Sequence, residues 1–153
     1  MTIRKVKHEE WADLQKLNNE VFVDNASYDP DIIEDWAFSE AGKKYFQELV
    51  IDAQSVCFVA ESDDGALIGY IAASPKIFSY RKSKYLEVEN MGVIPAYRSQ
   101  GVGQKLMEEC MDWAKKSGYQ KLFVNSYFAN KKAVSFYERC GFRPIDLGLE
   151  VNV

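Results

Sequence analysis

Histidine is almost missing from this chain: His8 is the only one, it stands near the start, and it offers no triad with a serine or cysteine nucleophile. Cysteine is sparse too. Cys57, Cys110 and Cys140 are odd in number, far apart and without metal-ligand spacing, so neither a disulfide framework nor a zinc site is expected. They fall on apolar faces with no partner histidine, which argues against a covalent acyl-cysteine route. No run approaches the length of a membrane span, and the charges of Arg4, Lys5 and Lys7 have no apolar stretch behind them. An excess of basic residues is also lacking, with 19 Lys and Arg against 23 Asp and Glu. A net charge of −4 gives no general attraction for nucleic acid or an anionic membrane. There is no Gly-Lys-Ser/Thr phosphate motif, internal repeat, linker or low-complexity tract. These absences leave one expectation: a cytoplasmic protein of 153 residues forming a single domain over 1–153, with 47% hydrophobic residues to build its core.

The pattern along the chain predicts alternating elements. Thr2 to Lys7 reads as a short strand. Trp11, Leu14, Leu17 and Val21 trace one stripe of a helix ending near Asp24-Asn25. Asp29 before Pro30 reads as a helix N-cap with proline in the first turn, predicting a second helical region to about Ile51, with Gly42 a possible break. Gln54–Glu61 reads as a strand buried on both sides. Asp63-Asp64-Gly65 is a hairpin turn into Leu67–Ala72, and Tyr85–Val93 is a further strand in which Gly92 marks a bulge or a close approach by ligand. Val102, Leu106, Cys110, Trp113 and Ala114 form the apolar face of a helix stopped by Gly118. Leu122–Val124 is a short strand, Asn130 opens a helix ended by Gly141, and the alternation of Leu149, Val151 and Val153 suggests a final strand.

Val93-Ile94-Pro95-Ala96-Tyr97-Arg98-Ser99-Gln100-Gly101-Val102-Gly103 is the stretch around which the rest is organised. A strand runs through a glycine-rich loop into a helix, whose first-turn amides have no intrahelical partner and sit at the positive end of its dipole. Such a loop favours an anion, and we read it as a phosphate cradle. Upstream, Glu87 and Glu89 lie two apart on the strand that ends there, so they face one side unless a bulge intervenes. They are candidates for acid–base work or simply the solvated face of the strand.

Two separated motifs together resemble the GNAT superfamily of acyl-CoA-dependent N-acetyltransferases. One is Val93-x-Pro95-x-Tyr97-Arg98-x-x-Gly101-x-Gly103; the other is Asn130-x-x-Ala133-x-x-Phe136-Tyr137-x-x-x-Gly141-Phe142. The resemblance implies an α/β (α+β) fold, with a mixed, mostly antiparallel sheet of six to seven strands and helices on both faces. It implies acetyl-CoA as cosubstrate, no metal, and direct attack by a primary amine of a small molecule or peptide. Backbone amides of Arg98, Ser99, Gln100, Gly101, Val102 and Gly103 would hold the CoA pyrophosphate. Met91 and Val93 would pair with the pantetheine arm, with the Met91 amide as oxyanion donor, and Asn130 would hydrogen-bond the arm. Glu89, with Glu87 close behind, would be the base, and Tyr137 would protonate the departing thiolate. An acidic cluster of Asp24, Asp29, Asp31, Glu34 and Asp35 in a region that borders the acceptor site of such enzymes suggests a cationic amine, although helix capping alone accounts for acids there. The tail after Phe142 looks short for the family's last hairpin, so a second subunit, in a homodimer, could supply the back wall. The alternative function is a CoA-binding regulatory module that performs no transfer.

Overall fold

Residues Met1 to Val153 are all described by the computed structural model. Strand β2 (Val56–Glu61) is built for burial on both sides, with Phe58 and Ala60 on one face and Cys57 and Val59 on the other. The turn after it closes with Gly65 in the left-handed region (φ +86°), its amide donating to the Ser62 carbonyl at 3.0 Å. It leads into β3 (Leu67–Lys76), antiparallel to β2. The strands β1 (Thr2–Lys5) and β4 (Tyr85–Val93) flank this hairpin antiparallel, and β5 (Lys121–Val124) lies parallel to β4. The sheet order is therefore β1-β2-β3-β4-β5.

Helices cover both faces. On one, α3 (Val102–Lys116) sets Leu106, Met107, Cys110 and Ala114 against Phe58, Ile68, Ile71, Leu86 and Val88, and α4 (Lys131–Arg139) adds Phe136 and Tyr137. On the other, α1 (Trp11–Val21) and α2 (Glu40–Leu49) bury Leu14, Leu17, Val21, Phe46 and Leu49 against Val59, Tyr70 and Ala72. Two polar side chains go into this second core, each paired: Gln15 donates to the Ala37 carbonyl at 2.7 Å and Asn18 to the Tyr70 hydroxyl at 2.6 Å. No helix is long and apolar enough to cross a membrane.

Three expectations are corrected. The sheet has five strands, not six or seven, because the stretch after Phe142 forms no strand. Leu147, Leu149, Val151 and Val153 are exposed, and alternation without a neighbouring edge to pair with does not make a strand. The second helix begins at Glu40 rather than Pro30. The Asp29 carboxylate accepts from the Asp31 amide in a local turn, and the cap is Ser39, whose hydroxyl oxygen accepts from the Gly42 amide at 3.0 Å. Gly42 does not break that helix. It lets α2 press on the preceding turn, where an added Cβ would stand 2.2 Å from the Trp36 carbonyl oxygen.

Candidate functional site

The site begins where the sheet comes apart. Pairing between β4 and β5 runs only from Tyr85 with Lys121 to Val88 with Val124. Beyond it, β4 continues with one edge on β3 and the other open. The register on β3 steps from Val88 opposite Ala73 to Asn90 opposite Ala72, so Glu89 is the extra residue of a bulge. Past the bulge, the Ile94 amide donates to the Ile68 carbonyl at 3.0 Å, which sets the phase of the ladder. In an antiparallel pair each residue turns both backbone groups to the same side. Asn90, Gly92 and Ile94 thus face β3, and Met91 and Val93 turn theirs to the open edge. Gly92, read from sequence as a bulge or a close approach by ligand, is not the bulge, since it pairs regularly with Tyr70. An added Cβ there would meet the Val21 side chain at 2.6 Å, so its smallness admits α1.

At the end of this edge lies the glycine-rich loop. Ser99 (φ 61°) and Gly101 (φ 81°) both adopt left-handed backbone, and α3 starts at Val102. The amides of Ser99, Gln100, Gly101, Val102 and Gly103 donate to nothing in the chain, whereas that of Arg98 is taken by the Pro95 carbonyl at 3.2 Å. The Arg98 side chain is also engaged. Its guanidinium donates to the carbonyls of Val93 and Val21, each at 2.9 Å, and to Asp24 at 3.0 Å, tying the loop to the end of α1. Of the six amides that the sequence points to, those of Ser99 to Gly103 are free and that of Arg98 is not, and the Gln104 amide extends the free run by one. They are the arrangement that a pyrophosphate fits: consecutive free amides at a helix start, with no side chain over Gly101.

The second motif converges on the first. An added Cβ at Gly103 would lie 3.5 Å from both the Met91 methyl and the Phe136 ring, so α3, the open part of β4 and α4 meet at one point. Asn130 caps α4, its side-chain oxygen accepting from the Ala133 amide at 3.1 Å, which leaves its NH₂ free to donate. Tyr137 packs between Phe136 and Phe142, with ring centroids 5.4 and 5.6 Å away. Its hydroxyl has no partner in the chain, and burial, helped by the nearby Cys140 thiol, pushes its pKa up to about 12.

Glu87 and Glu89 end up on the same face, the one covered by α1 and α2, even with the bulge between them. Glu87 is ion-paired with Lys76 at 2.9 Å. Glu89 is exposed and accepts from the Ser74 hydroxyl at 2.5 Å and the Tyr45 hydroxyl at 2.8 Å; the Asn90 amide donates to the same Tyr45 oxygen at 3.0 Å. Nothing in the sequence marked Tyr45 or Ser74, which lie 44 and 15 residues away from Glu89. From the acidic cluster, Asp24 is engaged by Arg98. Tyr28 stacks on Tyr127 at 6.0 Å, which carries the loop between α1 and α2 across to the segment between β5 and α4. Burial and the charge of Asp29 push the Tyr127 hydroxyl up. Cys57 and Cys110 are buried, and burial raises both thiols, that of Cys110 to about 12, so neither is an available nucleophile.

The chain resembles streptothricin acetyltransferase of Streptomyces lavendulae, 35% identical over 91 residues, which are 60% of this chain and 46% of that one. An uncharacterised N-acetyltransferase of Archaeoglobus fulgidus is 33% identical over 85 residues, 54% of this chain and 57% of its own. The chain thus spans about half the length of these curated relatives. Among solved structures, a mutant of the BH1408 protein from Bacillus halodurans superposes with a TM-score of 0.84 over the whole of both chains at 18% identity. The aminoglycoside N-acetyltransferase AAC(6')-Iy in complex with CoA does so at 0.74, again at 18% identity, over 99% of this chain and 93% of that one. At such identity these two speak for the fold alone. The model of the acetyltransferase (GNAT) family matches residues 9–142, nearly the whole chain, and the protein belongs to that family.

Proposed function

We propose that this protein is an N-acetyltransferase that moves an acetyl group from acetyl-CoA to a primary amine by direct attack, with residues 1–153 acting as one domain. The observation that carries the reading is the open edge of β4 leading to a run of consecutive free amides at the start of α3. An extended amide-bearing arm can add to that edge as a strand does, while its pyrophosphate takes the helix start.

Bound acetyl-CoA supplies an activated carbonyl and a thiolate leaving group. The chain's residues do the rest. Glu89 accepts the proton of the incoming amine, through a lone pair that Tyr45 and Ser74 leave open. Its neighbour Glu87, held by Lys76, is the less available of the two. The Met91 amide, turned to the open edge beside the bulge, donates to the acyl oxygen as negative charge builds there. Asn130 offers its free NH₂ to the arm. Tyr137 donates its hydroxyl to the departing sulfur. An ordinary thiol has a pKa of about 8.5, so complete proton transfer from a phenol raised to about 12 runs uphill. Tyr137 therefore acts as a hydrogen-bond donor to the thiolate more than as the source of its final proton.

The acceptor is a small molecule or peptide, and we favour a cationic one. Asp31, Glu34 and Asp35 are exposed on the loop that the Tyr28–Tyr127 stack ties to the segment between β5 and α4. The relatives include a streptothricin acetyltransferase, and the chain shares the fold of an aminoglycoside acetyltransferase. The test is thermal unfolding with acetyl-CoA, CoA or ATP. A ligand at about 100 times its dissociation constant adds roughly 2.7 kcal/mol to the folded state. Stabilisation by both CoA species and not by ATP is expected, followed by thiol release when streptothricin or neamine is added. No shift with either CoA species would sink the reading.

A further inference from the structure

We propose that Tyr45 is a positioning residue of the reaction: from α2 it fixes the Glu89 carboxylate on β4 in the orientation that receives the amine's proton, with Ser74 on β3 as the second clamp. This rests on the reading that Glu89 is the base.

The direction of each hydrogen bond follows from counting protons. A phenol has one proton to donate, and the oxygen of Tyr45 already accepts from the Asn90 amide at 3.0 Å. Its proton therefore goes to Glu89 Oε2, 2.8 Å away. Ser74 donates to the other oxygen, Oε1. Both carboxylate oxygens are thus held by hydroxyl protons, and each keeps a further lone pair for an incoming N–H.

The bulge explains how one phenol can serve two consecutive residues. In a regular strand neighbouring side chains point to opposite faces, so Glu89 and Asn90 could not both reach Tyr45. With Glu89 as the extra residue, they do. The backbone irregularity just past the last β4–β5 pair is thus what builds this clamp. Tyr45 is itself immobilised: its ring lies 5.0 Å from that of Phe46 and 5.7 Å from that of Trp36. Burial, together with the charge of Glu89, raises its hydroxyl well above the usual phenol range, so it stays a donor at any working pH. On the strands of this face, Lys76 of β3 and Glu87 of β4 are paired with each other, and on α2 Lys44 pairs with Glu48 while Lys43 lies over the Trp11 ring.

A purely structural tie between α2 and β4 would show the same bonds, so the test must read the carboxylate itself. Carbon-13 carboxyl NMR of glutamate-labelled protein follows Glu89 through a pH titration and needs no acceptor; Glu89→Gln assigns its signal. In Tyr45→Phe, which keeps the ring, the Glu89 midpoint should move up by about half a pH unit or more, because a donor to the charged form has gone. Ser74→Ala should shift it the same way and provides the test if the first variant folds poorly. With neamine as acceptor probe, the acid limb of kcat/KM should move up in step, kcat should fall about tenfold, and KM for acetyl-CoA should hold. A Glu89 midpoint unmoved in both variants, with Glu89→Gln inactive, would overturn the role of Tyr45 alone. Full turnover in Glu89→Gln would overturn the base reading, and this proposal with it.

Discussion

Tyr137 shows what a single buried hydroxyl commits the protein to. Its raised pKa means that the folded state favours the neutral phenol over the phenolate. That stabilising contribution is complete below the ordinary tyrosine value near pH 10 and is lost as pH climbs through about 12. Unfolding melts across pH 9 to 12 should therefore fall more steeply for the native chain than for Tyr137→Phe. The same variant should lose about ten- to a hundredfold in kcat while keeping its stabilisation by CoA, since in the proposed reaction it removes a donor needed only as the sulfur departs. Equal loss of CoA stabilisation would show instead that the ring, not the hydroxyl, is what the site uses. Tyr137 and Asn130 were readable as candidates because their roles depend on positions along one helix. Tyr45 and Ser74 were not, because their relation to Glu89 exists only once α2, β3 and β4 have packed.

Among the elements, α2 and the glycine-rich loop are each held by a close contact that a small change would break. Gly42→Ala places a methyl 2.2 Å from the Trp36 carbonyl oxygen and 2.6 Å from that of Ala37, both backbone atoms. Relief requires α2 to shift, and the expected cost is about 1–3 kcal/mol in urea denaturation. Since α2 carries Tyr45, activity should drop even where the fold survives. Arg98→Ala removes three hydrogen bonds that join the loop to α1, but its side chain is 40% exposed, and solvent and salt screen the pair with Asp24. About 1 kcal/mol is the expected loss, read from the same denaturation. Elements with strong periodicity were legible, α3 almost to the residue and α1 except for its end, which comes at Val21 rather than near Asp24-Asn25. The start of α2 was not: Asp29-Pro30 and Ser39 are both plausible caps, and the choice was made by Trp36 and Ala37 packing beneath Gly42. The bulge was equally hidden, as no glycine or proline stands at Glu89 to announce it.

At the scale of the whole molecule, two cores on opposite faces of the sheet carry the stability, and the stretch after Phe142 adds little to either. Its one side-chain tie is the ion pair of Asp146 with Arg81 at 3.1 Å, of a kind worth about 0–1 kcal/mol. A chain ending at Arg143 should therefore unfold within about 4 °C of the full chain; a larger drop in Tm would mean that the tail packs in solution. Sequence alternation placed a strand there because it reports only which side chains could share a face, never whether an edge is available to receive them. The open edge of β4 poses the converse problem. Met91 and Val93 present backbone donors and acceptors that nothing in the chain's own sheet takes up. Any extended peptide can compete for such an edge, including the same segment of another molecule. The empty protein should thus be prone to cluster on storage or warming, and light scattering should record slower clustering with CoA present than with ATP. The cosubstrate proposed for this protein would then also serve as its chaperone.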